Sequence, residues 1–325
     1  MKLQQLRYLQ AIVENNLNVT EAAERLFTSQ PGVSKQVKLL EEELGLEIFH
    51  RSGKHFTHVT PAGQMILARA QNILKEMENI RAMAEEFRDE DRGSLSLATT
   101  HTQARYFLPP LITHFRERYP RVHLLIHQGN PEQIARMAAS GQVDFAIATE
   151  AIALHRELIM VPAYRWRHGV VVTPGHPLAE QVESLTLRAV AEHPIVTYVH
   201  GFTGRGQLEQ DFQQQGLTPE IVLSAADSDV IKTYVRLGLG AGIIAHMAFE
   251  ADSDTDLVYL PADGLFSEHV TRVGFRQGMY LRGYMGYFMS LIAPHLDQPR
   301  LEQALSARNQ EAVDALFGDV SLPVH

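Results

Sequence analysis

Short polar side chains stand where several apolar runs stop. The run SLSLATTHTQ ends in Thr99, Thr100, His101, Thr102 and Gln103. DFAIATE closes with Thr149, and IVTYVHGFTGRG carries Thr203 between two glycines. A single threonine at a strand-to-helix junction is ordinarily a helix cap. Thr100, Thr102, Gln103, Thr149 and Thr203 taken together suggest more. Hydroxyls converging with the first N–H groups of helices would make a neutral, donor-rich cavity. Such a cavity suits a small anion or carboxylate, for example sulfate or an acyl-amino acid.

Other chemistries find little support. There is no cysteine, hence no disulfide, thiolate metal site or thiol switch. The 16 histidines are scattered. His123 and His127 could share a strand face, but no third ligand accompanies them, and no metal or other cofactor is expected. GLGAGIIA (238–245) has the glycines of a dinucleotide motif but lies between a helix and a strand, the reverse of what that motif needs. GxSxG and HExxH are absent, and GFTGRG lacks the Lys-Ser/Thr of a phosphate loop. An enzyme is not expected. Trp166 and the aromatics at 280, 284, 287 and 288 read as packing residues.

The elements that must hold the threonines follow from residue 93 onward. Strands are expected near 94–99, 122–127, 144–149, 169–173, 195–198, 220–224, 241–245, 257–260 and 269–275. Helices are expected near 103–118, 131–140, 205–215, 229–237 and 279–292. This alternation implies an α/β fold with helices over a mostly parallel sheet, which binds ligands beyond the carboxyl ends of its strands. Residues 297–325 read as a short amphipathic helix and tail, with an oligomer contact as one use for them.

The first 60 residues read differently. Leu3, Leu6, Leu9 and Val13 have helical spacing. Thr20 is the expected cap of a short second helix whose small face includes Ala22, Ala23, Leu26 and Phe27. After a turn at Thr28–Ser29, Pro31 suits the first turn of a third helix, with Val33, Val37, Leu40 and Leu44 as its buried stripe and Gly45 as its stop. Two short helices around a tight turn make a helix-turn-helix. The third helix is chemically polarised: Ser29, Gln30, Pro31, Ser34, Lys35, Gln36 and Lys38 lie toward its start, and Glu41, Glu42 and Glu43 toward its end. Only the first half can approach DNA, where Gln reads adenine, Lys guanine or phosphate, and Ser either. IFHRSGKHFTHVT then alternates around Ser52-Gly53 like a small β-wing, with Arg51 and Lys54 at its tip.

Thr60-Pro61 begins a long helix. Ile66, Ala70, Ile73, Met77, Ile80, Ala84 and Phe87 repeat with alternating spacings of four and three, a heptad seam that favours self-dimerisation.

The formal charge is −9, but it is uneven. Residues 1–60 hold seven basic and seven acidic residues, so the acidity lies mostly beyond them. DNA binding would rest on local patterning. The absence of any apolar run of about 18 residues argues against a membrane span. MKLQQLRYLQAIVENN lacks the apolar stretch and cleavage site of a signal peptide, so a cytoplasmic location is expected.

TSQPGVSKQVKLLEEELGLEIFHRSGKHFTHVTPAG resembles the winged helix-turn-helix of LysR-type transcriptional regulators. MKLQQLRY, TTHTQARY, DFAIATE, GFTGR and DSDVIKTYVRLGLG resemble, over essentially the whole chain, the members of that family that control the cysteine regulon. The opening and AVDALFGDVSLP favour these activators over their paralogues for sulfonate genes. The resemblance implies a regulator of sulfate assimilation and cysteine synthesis that is homotetrameric and works with promoter DNA and RNA polymerase. Its effectors would be N-acetylserine, or O-acetylserine as its source, with sulfate or thiosulfate occupying or opposing the site. It also implies three parts: an all-α winged helix-turn-helix at 1–60, a long linker and dimerisation helix at 61–92, and an α/β effector domain at 93–325. The last would resemble periplasmic binding proteins, with subdomain I at about 93–163 and 268–292 and subdomain II at about 164–267. Thr100, Thr102, Gln103, Thr149 and Thr203 fall on the family's ligand positions. The rival reading from another class is a small-anion-binding protein without a DNA role.

Overall fold

A computed structural model describes residues 1–53, 55–149, 155, 157–182, 184–307 and 309–325. Lys54 lies outside the described residues. The chain forms two compact units, Met1–Arg88 and Asp89–His325.

The first unit orders α1 (Leu3–Glu14), α2 (Val19–Arg25), α3 (Gln30–Leu44), β1 (Phe49–Ser52), β2 (His55–Val59) and α4 (Pro61–Glu86). Leu6, Leu9 and Ile12 of α1 meet Ala22, Val33, Val37 and Leu40, with Ile48 and Phe49 closing the core. α2 is capped by Asn18, which accepts from the N–H groups of Thr20 and Glu21, and not by Thr20 as the sequence suggested. Ser29 caps α3 and Gly45, left-handed at φ +68°, ends it. Thr60 caps α4 with Pro61 in its first turn. Two apolar residues expected inside are outside. Leu44 is exposed past the last buried turn of α3, and Phe27, turned out by φ +52°, is 98% exposed.

The α4 seam divides. Ala70 is buried in the unit's own core, and Ile66 and Met77 pack against it. Those three positions therefore serve the fold of this unit. Ile73, Ile80, Ala84 and Phe87 are exposed.

The second unit holds two five-stranded sheets. The first contains β3 (Gly93–Thr99), β4 (Val122–Gln128), β5 (Phe145–Ala148), β6 (Leu158–Trp166) and β12 (His269–Arg276), in the order β4-β3-β5-β12-β6. The second contains β7 (His168–Val172), β8 (Ile195–Tyr198), β9 (Ile221–Ala225), β10 (Ala241–Ala245) and β11 (Val258–Leu260), in the order β11-β7-β10-β8-β9. Each sheet has three strands paired in parallel, β4-β3-β5 and β10-β8-β9, with one reversed strand on one side, β12 or β7, and beyond it an edge strand, β6 or β11, antiparallel to that reversed strand. The one mostly parallel sheet expected is thus two sheets, each with a single reversed strand, β12 or β7. β6 was not expected from the sequence, and it spans position 163, where a subdomain boundary was expected. The chain leaves the first sheet at Arg167 and re-enters it after Glu268, and Arg167 Nε donates to Glu268 Oε1 at 2.8 Å between these crossings.

Helices cover the sheets: α5 (Leu108–Arg118), α6 (Pro131–Ala139) and α10 (Gly283–Ile292) beside the first, and α7 (Leu187–Ala191), α8 (Arg205–Gln214) and α9 (Ser228–Arg236) beside the second. The tail is two helices, α11 (Gln298–Ser306) and α12 (Gln310–Phe317), where one was expected. Leu301, Ala304, Val313 and Phe317 join the first sheet's core, and Arg165 N donates to Pro323 O at 2.8 Å. These residues pack within their own unit and complete its core.

Candidate functional site

The carboxyl ends of the two sheets face one pocket. Thr100, Thr102, Gln103, Thr149 and Thr203 line it together with Trp166, Ala245 and Met247. Thr100, Thr102 and Gln103 follow β3 on a helical turn that widens into a π-helix at Gln103–Phe107 before α5. Thr149 follows β5, and Thr203 precedes α8. All five residues singled out in the sequence are brought together. Its cavity is about 10 Å³, room for one water.

Thr102 and Thr203 do not cap the helices that follow them, and no side chain caps α8. No side chain caps the turn at Gln103. The Thr99 hydroxyl donates to Ile147 O at 3.0 Å and approaches Gln103 Oε1 at 2.8 Å. Gln103 Nε2 donates to Thr271 Oγ1 at 3.3 Å, and Thr271 Oγ1 lies 3.2 Å from Thr149 Oγ1. The Thr102 hydroxyl is buried and has no partner in hydrogen-bonding geometry. A buried hydroxyl left unpaired is costly, and such groups mark places where a ligand or water can complete the bonding.

Trp166, read from the sequence as packing, is part of the lining. Its Nε1–H donates to Thr149 Oγ1 at 3.1 Å, and its ring stacks on His269 with centroids 4.4 Å apart. Sequence reasoning also missed Thr271, which orders Gln103 and Thr149 from a strand over a hundred residues away. Nothing local to either residue signals the meeting.

Among the described residues, no lining side chain carries a charge. The nearby Arg205 guanidinium is buried and committed to Glu209 Oε1 (2.6 Å from Nη2) and Tyr198 O (3.2 Å from Nη1). Tyr198 bonds Ser228 Oγ at 2.6 Å and accepts from Ala245 N at 3.0 Å. Burial pushes its phenol up to about 12. On the π-helix, Tyr106 donates to Asp229 Oδ1 at 2.5 Å, and Arg105 pairs with Glu250 at 3.1 Å. Burial first, then this bond, holds the Tyr106 phenol well above its ordinary range. His101, Asp227 and Asp229 bring ligand-type atoms within 4.8 Å of one another. Asp229, however, also faces Lys232 Nζ at 3.8 Å, and Asp227 caps α9.

In the first unit, α3 turns Pro31, Lys35 and Lys38 outward, with Ser34 and Gln30 half-exposed beside them. Gln30 Nε2 donates to Ser34 Oγ at 3.2 Å. Ser29 is occupied as the cap, and the Gln36 carbonyl accepts from Gln5 Nε2. Lys38 lies 3.6 Å from Glu42. Two features, one on α3 and one on the wing, differ from expectation. Glu41 is buried, accepting from Ile48 N and Phe49 N, so it does not face the surface α3 would turn to phosphates. Arg51 is drawn back from the tip, 2.6 Å from Glu41 and over the Phe56 ring.

Residues 3–64 match the bacterial regulatory helix-turn-helix protein family of lysR type, and residues 88–297 match the LysR substrate binding domain. The chain belongs to the LysR family of transcriptional regulators. It is 50% identical over 322 residues to the regulator CysB of Haemophilus influenzae, covering 99% of each chain. It is 47% identical over 301 residues to the regulator SsuR of Burkholderia cenocepacia, covering 93% of this chain and 97% of that one. The cofactor-binding domain of the Cbl regulator superposes with a TM-score of 0.63 at 40% identity, covering 66% of this chain and 94% of that one. This LysR-family protein therefore binds DNA through its first unit and regulates transcription. No described helix is long and apolar enough to cross a membrane.

Proposed function

We propose that this regulator controls genes of sulfate assimilation and cysteine synthesis in response to a small effector held by Thr100, Thr102, Gln103, Thr149 and Thr203. One observation carries the reading: these five residues line one pocket with no charged side chain among the described residues, and the Thr102 hydroxyl has no described partner in hydrogen-bonding geometry. Hydroxyls and helix N-termini bind a small anion or carboxylate without a counter-charge. The likeness to CysB and SsuR supports a sulfur metabolite. N-acetylserine or O-acetylserine is the inducer, and sulfate or thiosulfate competes for the same donors. The likeness to Cbl supports a second reading, control of genes for alternative sulfur sources such as sulfonates. The regulator acts in the cytoplasm as a homotetramer, and RNA polymerase is its partner at the promoter.

The pocket has room for about one water, so effector entry requires the two sheets to part. The effector shifts the balance between two arrangements of the domain, and with it the seating of the winged helices on DNA. An inducer that left footprint and DNA bend unchanged would remove this step.

Thermal shift tests the ligand. N-acetylserine, O-acetylserine, sulfate and thiosulfate are compared with unrelated carboxylates and an alkyl sulfonate. At ~100 times its dissociation constant a ligand stabilises by roughly 2.7 kcal/mol. Selective stabilisation by the sulfur-pathway compounds, lost in Thr100→Val, is expected. A response to the sulfonate alone favours the second reading, and no response removes both.

A further inference from the structure

The segment entering α8 has an unusual backbone. Gly201, Thr203 and Gly204 all have positive φ, at +79°, +43° and +73°. For a β-branched residue such as Thr203 this is a genuine outlier, tolerated only where the surroundings enforce it. Two imidazoles do so. His168, the first residue of β7, donates from Nε2 to Thr203 O at 2.9 Å. His269, the first residue of β12, reaches His168 Nδ1 through its Nε2 at 3.3 Å. Gly204 leaves no room for a side chain beside the two rings: a Cβ there would stand 2.4 Å from His269 Cε1 and 2.9 Å from His168 Cε1.

The partners fix the protons. A carbonyl only accepts, so His168 carries its proton on Nε2. Burial, and then His269 beside it, lowers His168 to about 3, so the ring is neutral and its Nδ1 accepts. His269 must then donate from Nε2. Burial also lowers His269, to about 4. Both histidines stand at the sheet crossings, next to Arg167 and Glu268, and His269 carries Trp166 on its face.

We propose that His168 and His269 are a positioning pair, which holds the Thr203 backbone in its left-handed turn and thereby sets effector affinity without either ring lining the pocket. The proposal rests on reading the pocket as the effector site. It adds that the two crossings and the effector-binding loop are joined by one hydrogen-bonded relay.

His168→Gln retains an N–H for Thr203 O, whereas His168→Phe fills the space without a donor. Full-length protein is titrated with N-acetylserine and with sulfate by calorimetry, with Thr100→Val as the pocket control. His168→Phe is expected to weaken binding about tenfold, the Gln variant to restore it to within about threefold, and both to keep wild-type affinity for promoter DNA. Nitrogen-15 spectra of wild-type protein at about pH 7 should show both rings neutral and protonated on Nε2. Wild-type effector affinity in His168→Phe, with binding lost in Thr100→Val, overturns the positioning role. Unchanged binding in both variants, or none in wild type, overturns the pocket reading instead. Independently of any ligand, a proton on Nδ1 of His168 overturns the relay.

Discussion

Acid should weaken the second unit through its two buried imidazoles. His168 and His269 are 1% and 7% exposed and stay neutral in the folded chain, lowered to about 3 and about 4 by burial. Asp211 acts on His269 in the opposite direction and is outweighed. In the unfolded chain each ring has an ordinary value near 6.5. A folded value below the unfolded one means that unfolding takes up a proton once the pH drops under about 6.5. The stability is complete above that value and declines as pH falls toward about 4. Each pH unit in this window costs about 1.4 kcal/mol per ring. At about pH 5 the loss is about 2 kcal/mol per ring, or about 4 kcal/mol for the pair. Urea unfolding at about pH 7.5 and about pH 5 measures it. The chain has one tryptophan, Trp166, stacked on His269, so its fluorescence reports this unit alone. Burial also lowers His176, His295 and His325, so the comparison is with His168→Gln/His269→Gln, in which those three contribute unchanged. Equal losses in wild type and double variant would refute buried, neutral rings.

Three further outcomes concern the first unit. Glu41→Ala leaves Ile48 N and Phe49 N without their acceptor and Arg51 without its carboxylate, and should cost about 3 kcal/mol by chemical denaturation followed by circular dichroism; a loss under ~1 kcal/mol would make the buried carboxylate incidental. Ile80→Asp with Phe87→Asp alters side chains that are 62% and 93% exposed, so sedimentation velocity should show a smaller assembly at unchanged melting temperature. Lys35→Ala should weaken promoter binding and lower the salt slope by about one, whereas Gln30→Ala should relax base preference; unaltered anisotropy titrations in both variants would move the recognition surface elsewhere.

The sequence made visible what depends on neighbours in the chain. Val33, Val37 and Leu40 repeat at helical spacing because one face of α3 is buried, and Thr60-Pro61 announces α4 because capping is local. The pocket was legible for a similar reason: strand ends in an α/β sheet share one edge, so polar residues at several ends must meet. What failed to show depended on distant partners. β6 hides because nearly all of it is buried, which removes the alternation that marks a strand, and because Pro162 breaks the pattern. Proline survives there at a sheet edge, opposite the register shift at Thr271/Arg272. The α4 seam shows the converse. A heptad repeat states that a stripe will be covered and not by what, and here α1 and its neighbours cover Ile66, Ala70 and Met77. Trp166 is the sharpest case. A lone tryptophan between apolar strands looks like core, and it becomes pocket lining only because Thr149 and His269 are brought to it by strands with which it shares no local pattern. The chemistry of the pocket is therefore written in two ways: its hydroxyls can be read along the chain, whereas the groups that aim them become visible only once both sheet crossings are in place.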